Sequence, residues 1–395
     1  MISCGEASGD LYARALVHAM QQQAPGTTAF GFGGAQLAAT GAELIGDYRG
    51  FSVTGLTEAL SVLRKSWRML DTLGEAARTR KPDVFVAIDF PDFNFRLLPV
   101  LHKLDIPIVY YISPQLWAWR AGRLKTLKKY VSKMLVIFPF EEAIYADAGV
   151  PVEFVGHPLI DLAVATRSRG ETCRAAGLDP DRPVVALLPG SRPNELRLLL
   201  PTLVESAMRV AREVPGVQFL VARAPALDDE LFASLQVLQT AGLTMAVLDG
   251  KTDDVLEAAD VVITASGTAT VQTALHHRPM VIVYRVSPVT YAIARRFVRV
   301  ANYGMVNLVA GRSVVRELIQ EACTAEAIAA EVCSLLTDGA RVDIMRRDVE
   351  EVVQKLGGPG AAGRAAAAVL AVAGDHASRQ ALTENAPGST RPNRS

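Results

Sequence analysis

Short, mostly apolar runs recur along this chain, and each gives way to a longer stretch in which apolar residues return every three or four positions. The runs at 1–4, 29–32, 84–88, 108–112 and 134–138 predict strands. A second series follows at 184–188, 218–221, 245–248, 261–264 and 280–284. Helical periodicity fills the intervals, as at 11–22, 196–214 and 255–259. Alternation of this kind means β-α-β units on a parallel sheet. The strand series occurs twice, on either side of a break at 156–170. The expectation is an α/β protein with two doubly wound, Rossmann-like domains facing each other across a cleft. Further helices are expected at 325–336 and 343–356. Gly357-Gly358-Pro359-Gly360 interrupts the pattern, and the alanine-rich 361–373 predicts one more helix. The polar remainder, rich in Ser, Pro, Asn and Arg, predicts disorder. The expected divisions are therefore 1–160, 161–345, C-terminal helices at 346–374 placed so that they can return to the first domain, and a disordered tail at 375–395.

Composition narrows the function classes. A chain of 395 residues suits two domains, and with 50% hydrophobic and 21% charged residues it can bury sizeable cores. A formal net charge of zero argues against a nucleic-acid partner. Locally the balance shifts: between Ile106 and Phe140 there is no acidic residue, but there are Arg120, Arg123, Lys125, Lys128, Lys129 and Lys133. A solvated helix face and an anion-binding surface both fit that run. Four cysteines without metal-ligand spacing suit a reducing compartment. No secretory signal and no apolar stretch of membrane-spanning length is visible, so the expected location is the cytoplasm, with peripheral membrane contact left open.

Candidate chemistry clusters where apolar strands end. After 184–188 comes Pro189-Gly190-Ser191-Arg192, and after 261–264 comes Ala265-Ser266-Gly267-Thr268-Ala269-Thr270. Strand ends and the helix N-termini beside them form the usual ligand crevice of such sheets, and their N–H groups favour an anion. Two such turns, one carrying an arginine, read as a site for a diphosphate. In the first half, Asp89 stands at the end of 84–88 among Phe90, Pro91 and Phe93, where desolvation would raise its pKa toward that of a useful base. We expect Asp92 to cap the next helix and Asp89 to be the base. Gly5-Glu6-Ala7-Ser8-Gly9-Asp10 is either a tight turn with Ser8 or Asp10 as a cap, or the lining of a sugar pocket. Gly31, Gly33 and Gly34 make a second turn of close approach. Trp117, Trp119 and Arg120 suit sugars or acyl chains, and core packing suits the tryptophans equally. His157, alone near the domain break, reads as structural. The stripe Leu56, Leu60, Leu63, Trp67 and Leu70, flanked by Arg64, Lys65 and Arg68, either packs on the sheet or lies in a membrane interface.

Seven strings, in order, resemble the lipid A disaccharide synthase family. They are the 5–10 turn, Ile88-Asp89-Phe90-Pro91-Asp92-Phe93-Asn94, Ser113 to Arg120, Phe154-Val155-Gly156-His157-Pro158, the 187–192 turn, Ala265 to Ala269, and Asn307-Leu308-Val309-Ala310-Gly311-Arg312. The resemblance runs over roughly 1–370. It implies an inverting glycosyltransferase of GT-B fold, with a lipid- and acceptor-binding first domain and a UDP-sugar-binding second. The donor would be UDP-2,3-diacylglucosamine and the acceptor 2,3-diacylglucosamine 1-phosphate (lipid X). The products would be the β(1→6) disaccharide 1-phosphate and UDP. The catalytic base would be Asp89. The UDP would be met by Gly190, Ser191, Arg192, Ser266, Gly267, Thr268, Gln272 and Asn307. The acceptor pocket would comprise Glu6, Ser8, Gly9, Asp10, Asn94, Trp117 and Arg120. No metal and no cofactor are implied. Contact with anionic lipid at the cytoplasmic face of the inner membrane is implied, and a homodimer is left open. Gln272 departs from the pattern, standing where the family usually has a glutamate for the ribose hydroxyls. The rival readings are a UDP-sugar 2-epimerase and a non-catalytic nucleotide-sugar sensor on the same scaffold.

Overall fold

The structure, a computed structural model, describes residues 1–51, 56–114, 121–225, 227–287, 291 and 302–384. It separates into two compact units. The first comprises Met1–Ile137, Glu141–Val155 and Gly360–Ser395, and the second Phe138–Phe140 and Gly156–Pro359.

The first unit carries a seven-stranded sheet, parallel throughout, in the order β3-β2-β1-β4-β5-β6-β7. The strands are β1 (Ile2–Cys4), β2 (Phe30–Gly33), β3 (Glu43–Asp47), β4 (Phe85–Ile88), β5 (Ile108–Tyr111), β6 (Lys133–Val136) and β7 (Val152–Phe154). Its helices are α1 (Ala7–Gln23), α2 (Ala35–Ala38), α3 (Leu56–Arg80), α4 (Pro91–Lys103), α5 (Leu124–Tyr130) and, from Glu141 onward, α6 (Pro139–Asp147). β4 and β5 are buried at every position, as strands covered by helices on both faces must be. Phe85, Leu97, Leu101, Tyr110 and Met134 make the centre of one core.

The second unit repeats the plan with six parallel strands in the order β10-β9-β8-β11-β12-β13. They are β8 (Val184–Leu188), β9 (Gln218–Arg223), β10 (Met245–Asp249), β11 (Val261–Ala265), β12 (Met280–Tyr284) and β13 (Arg316–Ile319). The helices are α7 (Leu159–Leu162), α8 (Arg169–Ala175), α9 (Pro193–Glu213), α10 (Gln236–Thr240), α11 (Thr252–Ala258), α12 (Thr268–Leu275), α13 (Met305–Ala310), α14 (Ala325–Thr337) and α15 (Gly339–Lys355). α9 shows why such segments are helical. Leu196, Leu199, Leu200, Leu203, Ala207 and Val210 form one buried stripe, and Pro193 opens the first turn, where its missing N–H costs nothing.

Three expectations need correction. The divisions fall at Val155/Gly156 and Pro359/Gly360 rather than 160/161 and 345/346. α15 therefore stays with the second unit, because its Met345, Val349 and Val352 are buried there. The C-terminal helix, Ala361–Glu384, belongs to the first unit, where it packs on α1 and donates from Arg364 Nε to the Val155 carbonyl at 2.8 Å. It also continues beyond Ala373, so 375–384 is helical rather than disordered. Ala377, Arg379, Gln380 and Leu382 are good helix formers, and polarity by itself does not stop a helix already nucleated.

Candidate active site

Each sheet reverses its winding at one place, and the candidate residues gather at those two places. In the first sheet the reversal lies between β1 and β4, which pair with Cys4 opposite Ile88. This register sets the turn after Cys4 beside the turn after Ile88. In the second sheet it lies between β8 and β11, with Thr264 opposite Leu188. The turns at Pro189 and at Ser266, far apart in sequence, thereby become neighbours. Reversal points outside the carboxyl ends of strands are where open α/β sheets bind ligands.

The β4 turn is strained. Asp89 and Phe90 adopt φ of 43° and 50° in succession, a left-handed conformation that costs about 1–3 kcal/mol per non-glycine residue and persists only when surroundings enforce it. The Asp89 N–H donates to the Tyr111 carbonyl at 3.2 Å. The Asp89 carbonyl accepts from Tyr110 Oη and from Asn94 Nδ2, both at 2.8 Å. The Phe90 ring stacks on Phe93 at 5.2 Å and on Phe32 at 6.1 Å. Gly5 makes room for that ring, since a Cβ there would lie 2.2 Å from it. Gly5→Ala is therefore expected to destabilise the first unit by about 1–3 kcal/mol, the usual cost of overpacking. A thermal melt checks this, and an unchanged melting temperature would show that Phe90 moves aside freely.

Asp92 does not cap α4. Pro91, already set in φ for the first helical position, starts the helix one residue earlier, leaving Phe90 at the cap. Asp92 lies in the first turn, where the helix dipole favours an acid, and pairs with Arg123 at 2.8 Å. Asp10 likewise does not cap its own helix. Its buried carboxylate accepts the N–H groups of Gly34, Gln36 and Leu37 at 2.9–3.0 Å, so it caps α2 from across the fold. Gly9 is buried, and a Cβ there would meet Cys4 at 3.3 Å, so its smallness serves the seating of α1 on β1. Asn94 is fully buried and donates to the Asp89 carbonyl. Glu6 and Ser8 remain half-buried at the reversal point. Trp117 and Arg120 lie outside the described residues, as does the 52–55 approach to α3.

The stripe on α3 divides its uses. Leu70, Leu73 and Ala77 are buried in the core, whereas Leu63 and Trp67 are 44% and 52% exposed beside exposed Arg64, Lys65 and Arg68. In the basic run, Arg123 and Lys133 are matched by Asp92 and Glu153. Lys125, Lys128 and Lys129 on α5 are exposed.

In the second unit, Gly190 has φ of 113°, and a Cβ there would lie 2.6 Å from Glu195 Oε2, so two constraints select glycine. Exposed Arg192 pairs with Glu195 at 3.0 Å, which holds the guanidinium at the start of α9. Among the described residues, the N-cap positions of α9 and α12, Arg192 and Gly267, make no side-chain cap bond. Gly267, with φ of 144°, has open space where a side chain would stand, and Thr268 beside it is exposed. Both features suit close approach of an anion. The Ser266 hydroxyl donates to the Tyr303 carbonyl at 3.1 Å.

Asn307 has its hydrogen bonds within the fold. It is fully buried, donates to the Val315 carbonyl and Glu317 Oε1, and accepts from the N–H groups of Val314 and Val315, at 2.7–2.9 Å. An asparagine amide has two donor and two acceptor positions, and all are used to fold the 311–315 loop. Gln272 donates to Asp253 Oδ1 at 2.7 Å, so a carboxylate lies directly beside the amide. His157 is fully buried. Burial pulls its pKa down to about 3, so it is neutral, and its Nδ1 accepts from the Leu159 N–H at 3.2 Å. That is a structural role. Reasoning from the chain alone missed Tyr110, Glu195 and Asp253. The i, i+3 spacing of Arg192 and Glu195 was the one available signal among them.

Comparison with known proteins adds a separate line of observation. The family model described as lipid-A-disaccharide synthetase matches residues 1–372. A lipid-A-disaccharide synthase of Myxococcus xanthus is 45% identical over 376 residues, covering 94% of this chain and 96% of that protein. One of Syntrophus aciditrophicus is 44% identical over 370 residues, covering 94% and 96%. Among solved structures, a putative UDP-N-acetylglucosamine 2-epimerase of Listeria monocytogenes aligns with a TM-score of 0.64 at 12% identity, covering 96% of each chain. Medicago truncatula UGT71G1, solved with UDP-glucose, aligns at 0.60 and 15%, covering 95% and 97%. These structural likenesses establish a shared two-domain fold, that of GT-B glycosyltransferases and related epimerases.

Proposed function

Since the chain belongs to the lipid-A-disaccharide synthetase family, we propose that its reaction is the transfer of a diacylglucosamine from UDP-2,3-diacylglucosamine to 2,3-diacylglucosamine 1-phosphate, with Asp89 as base. The acceptor 6-hydroxyl gives its proton to the Asp89 carboxylate as its oxygen bonds to C1 of the donor. The bond from C1 to the UDP oxygen breaks on the opposite face, so the configuration inverts. The products are the β(1→6) disaccharide 1-phosphate and UDP. A positioned base accounts for about 10²–10⁴ in rate.

The departing UDP gains negative charge. Arg192 and the N–H groups opening α9 and α12 are preorganised to receive it, an electrostatic contribution made without reorganisation during the reaction. Glu6 and Ser8 remain the candidates for contacts to the acceptor sugar. The observation that carries the reading is the doubly left-handed Asp89–Phe90 turn, enforced by buried bonds at a sheet-reversal point. Enforced strain of this kind clusters at functional sites. Incubation with both acylated sugars in detergent tests it. Disaccharide plus UDP is the expected result. An epimerised sugar would mean an isomerase, and UDP binding without either product would mean a sensor.

Among the described residues no helix is long and apolar enough to cross a membrane. The proposed contact with lipid is therefore peripheral, at the cytoplasmic face of the inner membrane, through the exposed Leu63 and Trp67 with Arg64, Lys65 and Arg68. Leu63→Ser with Trp67→Ser is expected to reduce sedimentation with anionic vesicles by about tenfold, since losing two buried apolar side chains costs about 1.5–3 kcal/mol each at full burial and less at an interface. Sedimentation equal to that of the unmodified protein would place the contact elsewhere.

A further inference from the structure

We infer that Tyr110 and Asn94 are positioning residues that hold the Asp89 carbonyl and thereby set the geometry of the base. The inference rests on the reading of Asp89 as that base. Asp89 follows the last residue of β4, and its carbonyl is taken not by a neighbouring strand but by two side chains, one from β5 and one from α4, each at 2.8 Å. Both side chains are fully buried. Neither bond is needed to form the elements that meet here. The Asp89 N–H already reaches the Tyr111 carbonyl, and the first turn of α4 closes through the Asn94 N–H on the Phe90 carbonyl at 3.0 Å. What the two bonds do fix is the left-handed conformation of the residue between them.

The amide of Asn94 can sit only one way round. Its nitrogen faces the Asp89 carbonyl and, at 3.5 Å, the Ser3 carbonyl, so turning it over would set its oxygen against two others. In this orientation its Oδ1 is buried and meets no donor among the described residues. Tyr110 stays a donor throughout the working pH range, since burial first, and the negative charge of Asp89 second, hold its phenol well above the ordinary value.

Tyr110→Phe deletes one hydroxyl and keeps the ring. The expected result is a fall in kcat of about 10- to 100-fold, the scale of a small misplacement of a reacting group, with the donor KM and the affinity for UDP within about twofold of the unmodified protein. A thermal melt with the transition of the unmodified protein reports that the first unit, which carries the change, is folded. Asn94→Ala is expected to act in the same direction. The decisive comparison is Tyr110→Phe placed on Asp89→Asn. If Tyr110 acts through Asp89, the second change causes no further loss, because residues working as one unit are not additive. An undiminished kcat in Tyr110→Phe, or the same factor lost again on top of Asp89→Asn, would overturn the inference. Asp89→Asn with full turnover would instead overturn the base reading on which it depends.

Discussion

Asp89→Asn is expected to lower kcat by about 10²–10⁴ while UDP binds with near-normal affinity, because the amide fills the same space and cannot accept a proton. The substitution leaves the backbone bonds of the turn in place, since Tyr110 and Asn94 bind the Asp89 carbonyl and not its carboxylate. Loss of fold is therefore not the expected cause of lost turnover. Steady-state kinetics with both acylated sugars, calorimetric titration with UDP and a thermal melt of the first unit together separate the two effects. Turnover at the unmodified rate would remove Asp89 as the base.

Arg192→Ala is expected to act on the other substrate. Removing one preorganised charge that faces a developing anion costs about 10²–10³ in rate. Here it should appear as a fall of that order in kcat/KM for the donor, with the acceptor KM nearly unchanged. Glu195 enters this prediction too. It pairs with Arg192 at 3.0 Å and, unlike Arg192, is largely shielded, with side-chain exposures of 13% and 59%. Truncating Arg192 leaves that carboxylate at the turn without its cation, which adds repulsion to the loss of attraction. Arg192→Lys, which keeps the charge but not the fork, is expected to recover part of the loss. A donor profile identical to that of the unmodified protein would rule out the diphosphate role of Arg192.

The two predictions rest on positions that were legible in the chain for one physical reason. Asp89, Gly190 and Gly267 each follow a run of apolar residues long enough to be a buried strand, so their place at a carboxyl edge followed from pattern alone. The interior strands were legible for the same reason. The strands left out, β3, β7 and β13, contain Glu43, Glu153 and Arg316, and nearly all of their positions are only half-buried or exposed. Their pairing comes from neighbours already in place, which no local pattern records.

Polar residues were harder to read, and the difficulty has one cause. Asp10 and Asn307 have the chemistry of ligand-binding groups, yet both spend it on backbone N–H groups and carbonyls 7 to 27 positions away. A sequence shows that a carboxylate or amide exists, but not whether its partner is a substrate or a loop. Tyr110 was hidden in the opposite way. It sits inside the β5 run, where its ring counts as apolar filling, and its hydroxyl acquires a task only when β4 lies alongside, with Ala87 opposite Tyr110. Gln272 looked like a lost carboxylate, whereas in the fold it lies against Asp253, supplied by α11.

The most direct test is a crystal structure of the Asp89→Asn protein with its intact UDP-sugar donor. The account predicts the diphosphate oxygens within hydrogen-bonding distance of the N–H groups at Ser191 and Thr268 and of the Arg192 guanidinium, at the paired ends of β8 and β11. A diphosphate bound away from both turns, for example against the 5–10 turn of the first unit, would contradict it.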